Sequence, residues 1–272
     1  MEHDFLHTRL GRTNLNVHRL GISATYRPGV RTLQRAYDCG LNLFFGFGID
    51  TQMTRFLRDA GSTVRDNIVL ATGGYNYIWG YQNLQKSLES RLKQFGTDRI
   101  DLFLFLGVMK EKEFPLKARE ELTQLKESGK VRFVGMSCHD RKFAGRMAED
   151  GLLDVLMVRY NAAHPGAEVD IFPHLQSHDP GVVSYTATRW TYLLRRPRGW
   201  PKDGRVPTPG ECYRFVLSHP SVHVCLTAPR NLRQFDEDFS ALSDGPMAAD
   251  DLTFMRAFGS AVHERKHWFM GN

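Results

Sequence analysis

The sequence predicts a (β/α)8 barrel, an α/β fold in which eight parallel strands alternate with helices around one core. Short apolar runs alternate with amphipathic helical patterns along the 272 residues, and a barrel of this class takes about 250 residues. The strand-like runs are apolar throughout, which is typical of parallel strands covered on both faces. The first predicted turn, ISATYRPG, lacks the GxGxxG pattern of an open dinucleotide-binding sheet. These observations favour the closed barrel over the open sheet.

The first four strand-helix units follow from apolar runs that alternate with helical periodicity. Leu84, Leu88 and Leu92 recur on one helical face, and Gly40 and Gly96 stand where helices are predicted to end. The predicted strands are 17–23, 42–48, 67–74 and 100–107, and the predicted helices are 30–40, 51–61, 81–96 and 116–129.

The last four units continue the same alternation. The predicted strands are 131–137, 154–161, 181–187 and 222–228, and the predicted helices are 141–151, 168–177, 211–219 and 231–242. A long polar loop follows the strand at 181–187, and a last helix at 248–266 closes the chain. No polar linker or low-complexity tract interrupts the pattern, so we predict one domain over 1–272.

The composition excludes several classes of protein. Apolar residues make up 42% and charged residues 24% of the chain, which is near the soluble average and unlike disordered or coiled-coil proteins. No apolar run approaches the roughly 18–20 residues of a membrane span, and the N-terminus lacks an apolar signal core. The four cysteines form no CxxC pair, which is typical of reduced thiols. We therefore expect a cytoplasmic protein with no membrane partner.

Several segments, taken in order, resemble the aldo-keto reductases. HTRLGRTNLNVHRLGIS resembles the family's N-terminal hairpin and first strand, and GLNLFF resembles its second strand. SLESRLKQFGTDRIDLFLF, ESGKVRFVGMS, RYN, GVVSYTA and FVLSHPSVHVCLTAPRNLRQFDED follow at matching spacing. The resemblance covers nearly the whole chain. It implies a barrel with an N-terminal β-hairpin and an extra C-terminal helix.

The resemblance also indicates that the family's catalytic residues are replaced. Family members protonate a carbonyl with a tyrosine, whose pKa is lowered by a lysine that an aspartate holds, while a histidine orients the substrate. The aspartate and tyrosine positions hold Phe45 and Asp50, and the lysine and histidine positions hold Gly73 and Leu106. The family's usual carbonyl reduction is therefore not expected in this chain.

The family's cofactor residues are partly kept, and the resemblance implies NADP(H) as the cofactor. Ser137 stands where the family uses a serine near the nicotinamide amide, and Tyr185 stands where an aromatic ring stacks on the nicotinamide. Arg230 and Gln234 match the loop that holds the adenosine phosphate, and a guanidinium pairs well with phosphate. Asp238 replaces a frequent asparagine of the same loop.

The carboxyl ends of the predicted strands offer other candidate catalytic residues. Asp50 and Tyr75 follow the second and third strands, His139 follows the fifth, and Arg159 interrupts the apolar run VLMVRYN. An inward-facing Arg159 needs a carboxylate such as Asp50 or a bound anion, since an unpaired buried charge is costly. Tyr75 or His139 would then supply a proton. The alternatives are an Arg159 that reaches solvent and an Asp140 that caps the following helix.

The net charge and the spacing of the histidines indicate which kinds of ligand the chain can bind. The net charge of +6 favours anionic partners, and the basic, aromatic stretch 188–205 can stack on a nucleic acid, form a solvated loop or close over a cofactor pyrophosphate. We favour a small phosphate-bearing or anionic ligand over nucleic acid. His164, His174 and His178 match no zinc spacing, so no metal is expected. No heptad or exposed repeat indicates an oligomer.

Three functions stay open at this point. The first is a divergent NADP(H)-binding oxidoreductase with a rebuilt active site. The second is a non-catalytic barrel that binds cofactor or partner proteins. The third is a lyase or isomerase on the same barrel. Cofactor binding separates the first two functions from the third, and turnover separates the first from the second.

Overall fold

A computed structural model describes residues 4–75 and 83–264 of the chain. Its strands are β1 (His7–Arg9), β2 (Asn16–His18), β3 (Leu20–Ser23), β4 (Leu43–Phe45), β5 (Val69–Tyr75), β6 (Ile100–Val108), β7 (Val131–Cys138), β8 (Val155–Arg159), β9 (Gly181–Tyr185) and β10 (Val224–Thr227). Its helices are α1 (Val30–Asp38), α2 (Thr51–Asn67), α3 (Leu84–Phe95), α4 (Leu116–Glu127), α5 (Arg141–Asp150), α6 (Ala167–Asp170), α7 (Pro209–Leu217), α8 (Leu232–Ser240) and α9 (Ala249–His263).

Strands β3 to β10 form a closed parallel barrel. Neighbours in the chain are neighbours in the sheet, and β10 pairs with both β9 and β3 to close it. Strands β1 and β2 form a separate antiparallel hairpin before the barrel, and α9 follows the last strand-helix unit. The predicted barrel, its N-terminal hairpin and its C-terminal helix are therefore confirmed.

Two apolar layers explain why the strand runs are apolar throughout. Alternate strand positions fill the barrel interior, where Phe45, Leu104 and Leu106 are buried together. The intervening positions, such as Phe103 and Phe105, face the helices in the outer layer of the core. Because both faces of each strand are covered, the sequence lacks the polar alternation of a half-exposed sheet.

Buried carboxylates hold the amino ends of the strands. Asp154 accepts a hydrogen bond from the backbone N of Val134 at 3.0 Å and pairs with Lys126 at 2.8 Å and Arg12 at 3.0 Å. Arg12 lies in the turn of the hairpin, so this carboxylate joins the hairpin to the barrel. Asp101 makes an equivalent cluster on β6. Such features at the amino end of a barrel serve stability.

The first predicted strand, 17–23, spans two strands of different sheets. The chain turns at Arg19, where β2 of the hairpin gives way to β3 of the barrel. The Arg19 guanidinium donates to the carbonyl oxygens of Leu217 at 2.7 Å and Val222 at 2.8 Å. These bonds fix the turn, and an apolar run alone does not reveal them.

Two predicted helices have different bounds in the structure. The helix predicted over 51–61 is interrupted at Gly61, whose φ of 72° lies outside the helical region, and helical backbone resumes after this kink, so α2 extends to Asn67. The helix predicted over 168–177 divides into α6 and a 3-10 turn at Phe172–Ser177. Pro173 stands at the start of that turn and has no N–H for a continuous helix.

The remaining helix predictions agree with the structure to within a few residues. The helices predicted over 81–96 and 248–266 match α3 and α9, and their outermost residues 81, 82, 265 and 266 lie outside the described residues. The prediction of one domain over 1–272 includes further such residues and stays a prediction. Within the described ranges, no helix has both the length and the apolar character to cross a membrane.

Candidate functional site

The candidate site is the mouth of the barrel, meaning the carboxyl ends of β3 to β10 and the loops that follow them. In barrels of this class the reacting groups lie at this end. Of the residues predicted for catalysis, Asp50, Tyr75, His139 and Arg159 all lie at or just beyond these strand ends. Ser137 and Tyr185 lie at the ends of β7 and β9.

Three positions of the family's tetrad are closed by backbone and apolar packing. Phe45 is 1% exposed and Leu106 is 3% exposed, and both belong to the interior core. A Cβ atom at Gly73 would collide with the carbonyl oxygen of Leu104 on the adjacent strand. A lysine at Gly73 would therefore require β5 and β6 to move apart.

Asp50, at the fourth tetrad position, is a buried carboxylate at the start of α2. Its Oδ2 accepts a hydrogen bond from the backbone N of Phe47 at 2.8 Å. Burial raises its pKa, while that hydrogen bond and the charges of Arg27 and Arg91 act in the opposite direction. The structure does not bring Asp50 to Arg159, since β4 and β8 lie on opposite sides of the barrel. The ion pair suggested for these two residues is thus absent.

Tyr75 ends β5 on an aromatic side of the mouth. Its ring stacks on Phe47, with ring centroids 5.8 Å apart and an interplanar angle of 20°. Phe47 in turn packs edge-on against Phe45 at 4.7 Å. We call Phe45, Phe47 and Tyr75 the aromatic side of the mouth. This side offers flat apolar surface beside one phenol.

His139, Arg159 and Tyr185 meet across three adjacent strands. Arg159 pairs in register with Tyr185 on β9, and β7 pairs with β8 up to Cys138, one residue before His139. The Tyr185 hydroxyl lies 3.3 Å from Nε2 and 3.4 Å from Nδ1 of His139, above an edge-on ring contact. Arg159 shares the inward face of β8 with Met157, which fills the barrel interior.

Arg159 is partly buried and has no ion-pair partner among residues 4–75 and 83–264. Burial is the main cause that lowers its pKa, and the charge of Arg141 adds to it. Arg141 is itself paired with Asp170 at 2.8 Å. Within the described part of the chain, the guanidinium of Arg159 therefore lies at the mouth without a fixed counter-charge.

The charge of Arg159 acts on its neighbours. Burial and this charge together lower the pKa of His139, which Glu113 partly offsets. The pKa of His164 is lowered to about 3, mainly by burial and further by the charges of Arg159 and Arg189. His164 is consequently neutral at pH 7. We call Arg141, His139, Arg159, His164 and Arg189 the basic side of the mouth.

The loop after β9 places Arg189 by an unusual backbone. Thr186, Arg189, Trp190 and Thr191 have left-handed φ values of 59°, 48°, 50° and 71°, a region that non-glycine residues seldom adopt. Arg189 donates to the carbonyl oxygen of Val262, near the end of α9, at 2.5 Å. Strained backbone of this kind clusters at functional sites.

The remaining arginines of this loop are used in part for its own structure. Arg196 donates to the carbonyl oxygens of Pro201 and Gly204, each at 3.0 Å. Arg205 pairs with Asp251 at 2.9 Å. Arg195 and Arg198 are exposed and carry no bond of this kind within the described residues. The interpretation as a phosphate-closing loop stays a prediction.

Strand β7 ends in three side chains with structural contacts. The hydroxyl of Ser137 accepts a long hydrogen bond of 3.4 Å from the backbone N of Gly107. Burial raises the pKa of the Cys138 thiol to about 12, which removes it as a nucleophile. Asp140 caps α5 by accepting from the backbone N of Phe143 at 3.1 Å, as the alternative interpretation anticipated.

The residues predicted to hold the adenosine phosphate surround the start of α8. Arg230 is exposed and its guanidinium lies over the ring of Tyr26, 5.6 Å from the centroid. The Gln234 side chain accepts from the backbone N of Arg230 at 2.9 Å. A surface groove beside this loop is lined by 28–32, Thr51, Gln52, Arg55, Asp59 and Leu232.

Asp238 differs from its neighbours because its carboxylate faces inward. It is 6% exposed and accepts a hydrogen bond from the Thr227 hydroxyl at 2.7 Å. Thr227 in turn accepts from the Tyr213 hydroxyl at 3.0 Å. Burial raises the pKa of Asp238 to about 7. A direct cofactor contact by this side chain has no support in the geometry.

The described part of the chain contains no cluster of metal-ligating side chains. Across residues 4–75 and 83–264, no three His, Cys, Asp or Glu side chains converge on one point. The described residues of the mouth carry guanidinium, imidazole and phenol groups together with the carboxyl of Asp50. Such a set can bind an anion and exchange a proton.

Comparison with known proteins agrees with this architecture. The sequence model of the Aldo/keto reductase family matches residues 22–199, and the chain belongs to that family. The fold is similar to that of a solved structure titled "aldo-keto reductase AKR11C1 from Bacillus halodurans (holo form)". The two chains are 20% identical, the match covers 94% of this chain and 96% of that one, and the TM-score is 0.76.

Sequence reasoning missed the contact between His139 and Tyr185 and the outer cation Arg141. The signal that was available is the order of the strands, since the ends of consecutive barrel strands are neighbours. Which side chains then touch depends on register and on loop conformation. The left-handed backbone that places Arg189 leaves no mark in the sequence, because threonine and tryptophan seldom adopt it.

Proposed function

We propose that this chain is a divergent aldo-keto reductase that binds NADP(H) and transfers hydride with a rebuilt, non-standard site. One observation carries the proposal. The resemblance aligns Arg230 and Gln234, which follow β10, with the family's phosphate-binding loop, although apolar side chains fill the tetrad positions Phe45 and Leu106 and backbone closes the position of Gly73. The neighbour of known structure is titled a holo form, which supports a cofactor on this fold.

The donor set fits the cofactor at its phosphate end and fits in part at its nicotinamide end. Arg230 is exposed and forms no ion pair within the described residues, so its guanidinium can take a phosphate. Ser137 and Tyr185 stay at the mouth for the nicotinamide. Met157, which lies next to them on the inward face of β8, has no polar group to bind the nicotinamide amide. NADP(H) would thus be held mainly by its adenosine phosphate.

The chain's own residues supply proton transfer and orientation. When bound, NADPH supplies a hydride to a carbonyl carbon, and the carbonyl oxygen needs a proton. His139 can donate that proton from a ring nitrogen, and the positive charge of Arg159 makes protonated His139 a stronger acid. Tyr185 holds the imidazole by its hydroxyl. Tyr75, which the sequence offered as the other donor, lies on the aromatic side of the mouth. Asp50 lies next to the aromatic side, where its carboxylate accepts a hydrogen bond from the backbone N of Phe47.

A second candidate is a cofactor-binding protein without catalysis. It is favoured by the closure of tetrad positions Phe45, Gly73 and Leu106. Turnover with a broad panel of aldehydes and ketones decides between the two, since both candidates bind cofactor. Binding with no turnover would favour the non-catalytic protein.

The test of cofactor binding is a titration of NADPH followed by its fluorescence. We expect saturable binding, and we expect Arg230→Ala to raise the Kd at least about 10-fold through loss of a charge-assisted bond to phosphate. Arg233→Ala is the matched control, because Arg233 lies just after Arg230 in the first turn of α8, is exposed and pairs with Glu237 at 2.7 Å. No binding to the wild-type protein at millimolar NADPH would contradict the proposal.

The proposed partner is a small molecule and the proposed location is the cytoplasm. Cys138, Cys212 and Cys225 are buried free thiols, and burial raises the pKa of each of them. Buried thiols of this kind need no oxidising compartment.

A further inference from the structure

The mouth of the barrel has two chemically different sides. The aromatic side lies at the ends of β4 and β5, where Phe47 and Tyr75 stack above the buried Phe45. The basic side lies at the ends of β7, β8 and β9. Strands β4 and β8 are four places apart in the closed order of eight, so the two sides face each other across the barrel.

Arg159 sets the charge of the basic side. Its guanidinium faces inward at the end of β8 and has no carboxylate partner among residues 4–75 and 83–264. The charged or titratable groups around it are Tyr185, Arg141, Arg189, His139 and His164, and Arg141 already pairs with Asp170. Partly buried cations are normally paired, because desolvation without a partner is costly. A bound anion would complete this arrangement.

We propose that the mouth binds a small organic oxyanion, a carboxylate or a phosphate monoester, whose anionic group Arg159 holds and whose apolar body packs against Phe47 and Tyr75. A guanidinium presents two parallel N–H donors that match two oxygens of such a group. The assignment of this oxyanion as the substrate rests on the proposed function. The anion site itself requires no cofactor.

His139 provides a reporter for the bound anion. The groups that face it are Arg159 from β8, Tyr185 from β9 and Glu113 from the segment after β6. An anion on Arg159 offsets the charge that disfavours protonated His139. Binding therefore raises the pKa of His139, and affinity for the anion increases as the pH falls through that pKa.

The experiment is an NMR titration of the histidine rings in the intact protein without NADPH, with the His139 signal assigned by its loss in His139→Asn. The probes are benzoate, phenyl phosphate and the neutral benzyl alcohol. We expect benzoate or phenyl phosphate to raise the pKa of His139 by about half a unit or more. Benzyl alcohol should leave it unchanged. The two anions distinguish a carboxylate site from a phosphate site.

Variants locate the site. Arg159→Met should weaken binding of the preferred anion at least about 10-fold, and Arg159→Lys should bind with intermediate affinity because it keeps the charge without the fork. Arg99→Ala removes the same charge at the amino end of β6, where Arg99 pairs with Asp66, and should bind as the wild type does. It is the matched control for net charge.

Two results would overturn the proposal. One is that benzyl alcohol and both anions change the pKa of His139 equally, or leave it equally unchanged, in the wild-type protein. This comparison depends on no variant. The other is undiminished anion binding by Arg159→Met, or by Arg159→Lys if the first variant does not fold. Failure to bind NADPH would count against the proposed function and leave this titration unaffected.

Discussion

Among single residues, Arg159 combines partial burial with the lack of an ion-pair partner in the described chain. Its pKa is lowered mainly by burial, so the folded state bears a desolvation cost that no fixed carboxylate offsets. Residues of this kind are typical of functional sites, where stability is lower than packing alone would allow.

Arg159→Met should therefore stabilise the protein by about 1 kcal/mol, because an apolar side chain of similar length removes an uncompensated charge. Thermal unfolding without added anions measures the change. Arg99→Met, at an exposed ion pair, should stay within about 0.5 kcal/mol of the wild type. A clear loss of stability in Arg159→Met would show that its charge is compensated.

The buried carboxyl of Asp238 predicts that the stability of the protein depends on pH. Its carboxyl has a pKa of about 7 in the folded protein against 3.8 for the ordinary group. The folded state therefore holds the proton more tightly, and this group's contribution to stability is lost as the pH rises from about 4 to about 7. Asp238→Asn should be more stable than the wild type at pH 8, and the difference should shrink as the pH falls towards 4.

Denaturant unfolding of both proteins across that pH range measures this difference directly. The comparison with Asp238→Asn is needed because His18, whose pKa burial lowers to about 4, contributes the opposite slope over much of the same range. A constant difference between the two proteins would contradict the account of Asp238.

At the scale of secondary-structure elements, the amino ends of the strands are held by carboxylates with several partners. Asp101 on β6 accepts from the backbone N of Leu70 on β5 at 3.0 Å. It also pairs with Arg65 of α2 at 2.8 Å and with Arg132 of β7 at 2.9 Å. One buried side chain thus connects three neighbouring strands and one helix.

Asp101→Asn should cost about 3–5 kcal/mol of unfolding free energy, because it leaves the buried Arg65 without its partner. Asp66→Asn is the matched control, since Asp66 pairs with Arg99 on the surface and should cost less than about 1 kcal/mol. Chemical denaturation of the two variants measures both values. Similar losses in the two variants would show that burial of the pair is unimportant.

Most elements were predictable because they follow from local patterns. The apolar runs of β5 and β6 and the leucine periodicity of α3 are complete within a few residues each. The division of 17–23 at Arg19 was not predictable, because it depends on carbonyl oxygens about 200 residues away. The inward turn of Asp238 depends in the same way on Thr227 of another element.

At the scale of the whole molecule, the two ends of the barrel differ in how their charges are paired. At the amino end, Asp101 and Asp154 are each bound by two cations. At the mouth, Arg159 has no such partner in the described chain, and the aromatic side stands opposite. The sequence predicted that chemistry lies at the mouth. The pairing of the charges there required the strand order and register.

We propose that the protein keeps NADP(H) binding while its polar chemistry lies on the basic side of the mouth. Equilibrium titration of NADPH into the wild-type protein and into Arg159→Met, each with and without benzoate and phenyl phosphate, tests this claim most directly. We predict that both proteins bind NADPH. We also predict that one of the anions alters the NADPH titration of the wild-type protein and leaves that of Arg159→Met unchanged. A wild-type protein that ignores NADPH, or an Arg159→Met variant that responds to the same anion equally, would contradict it.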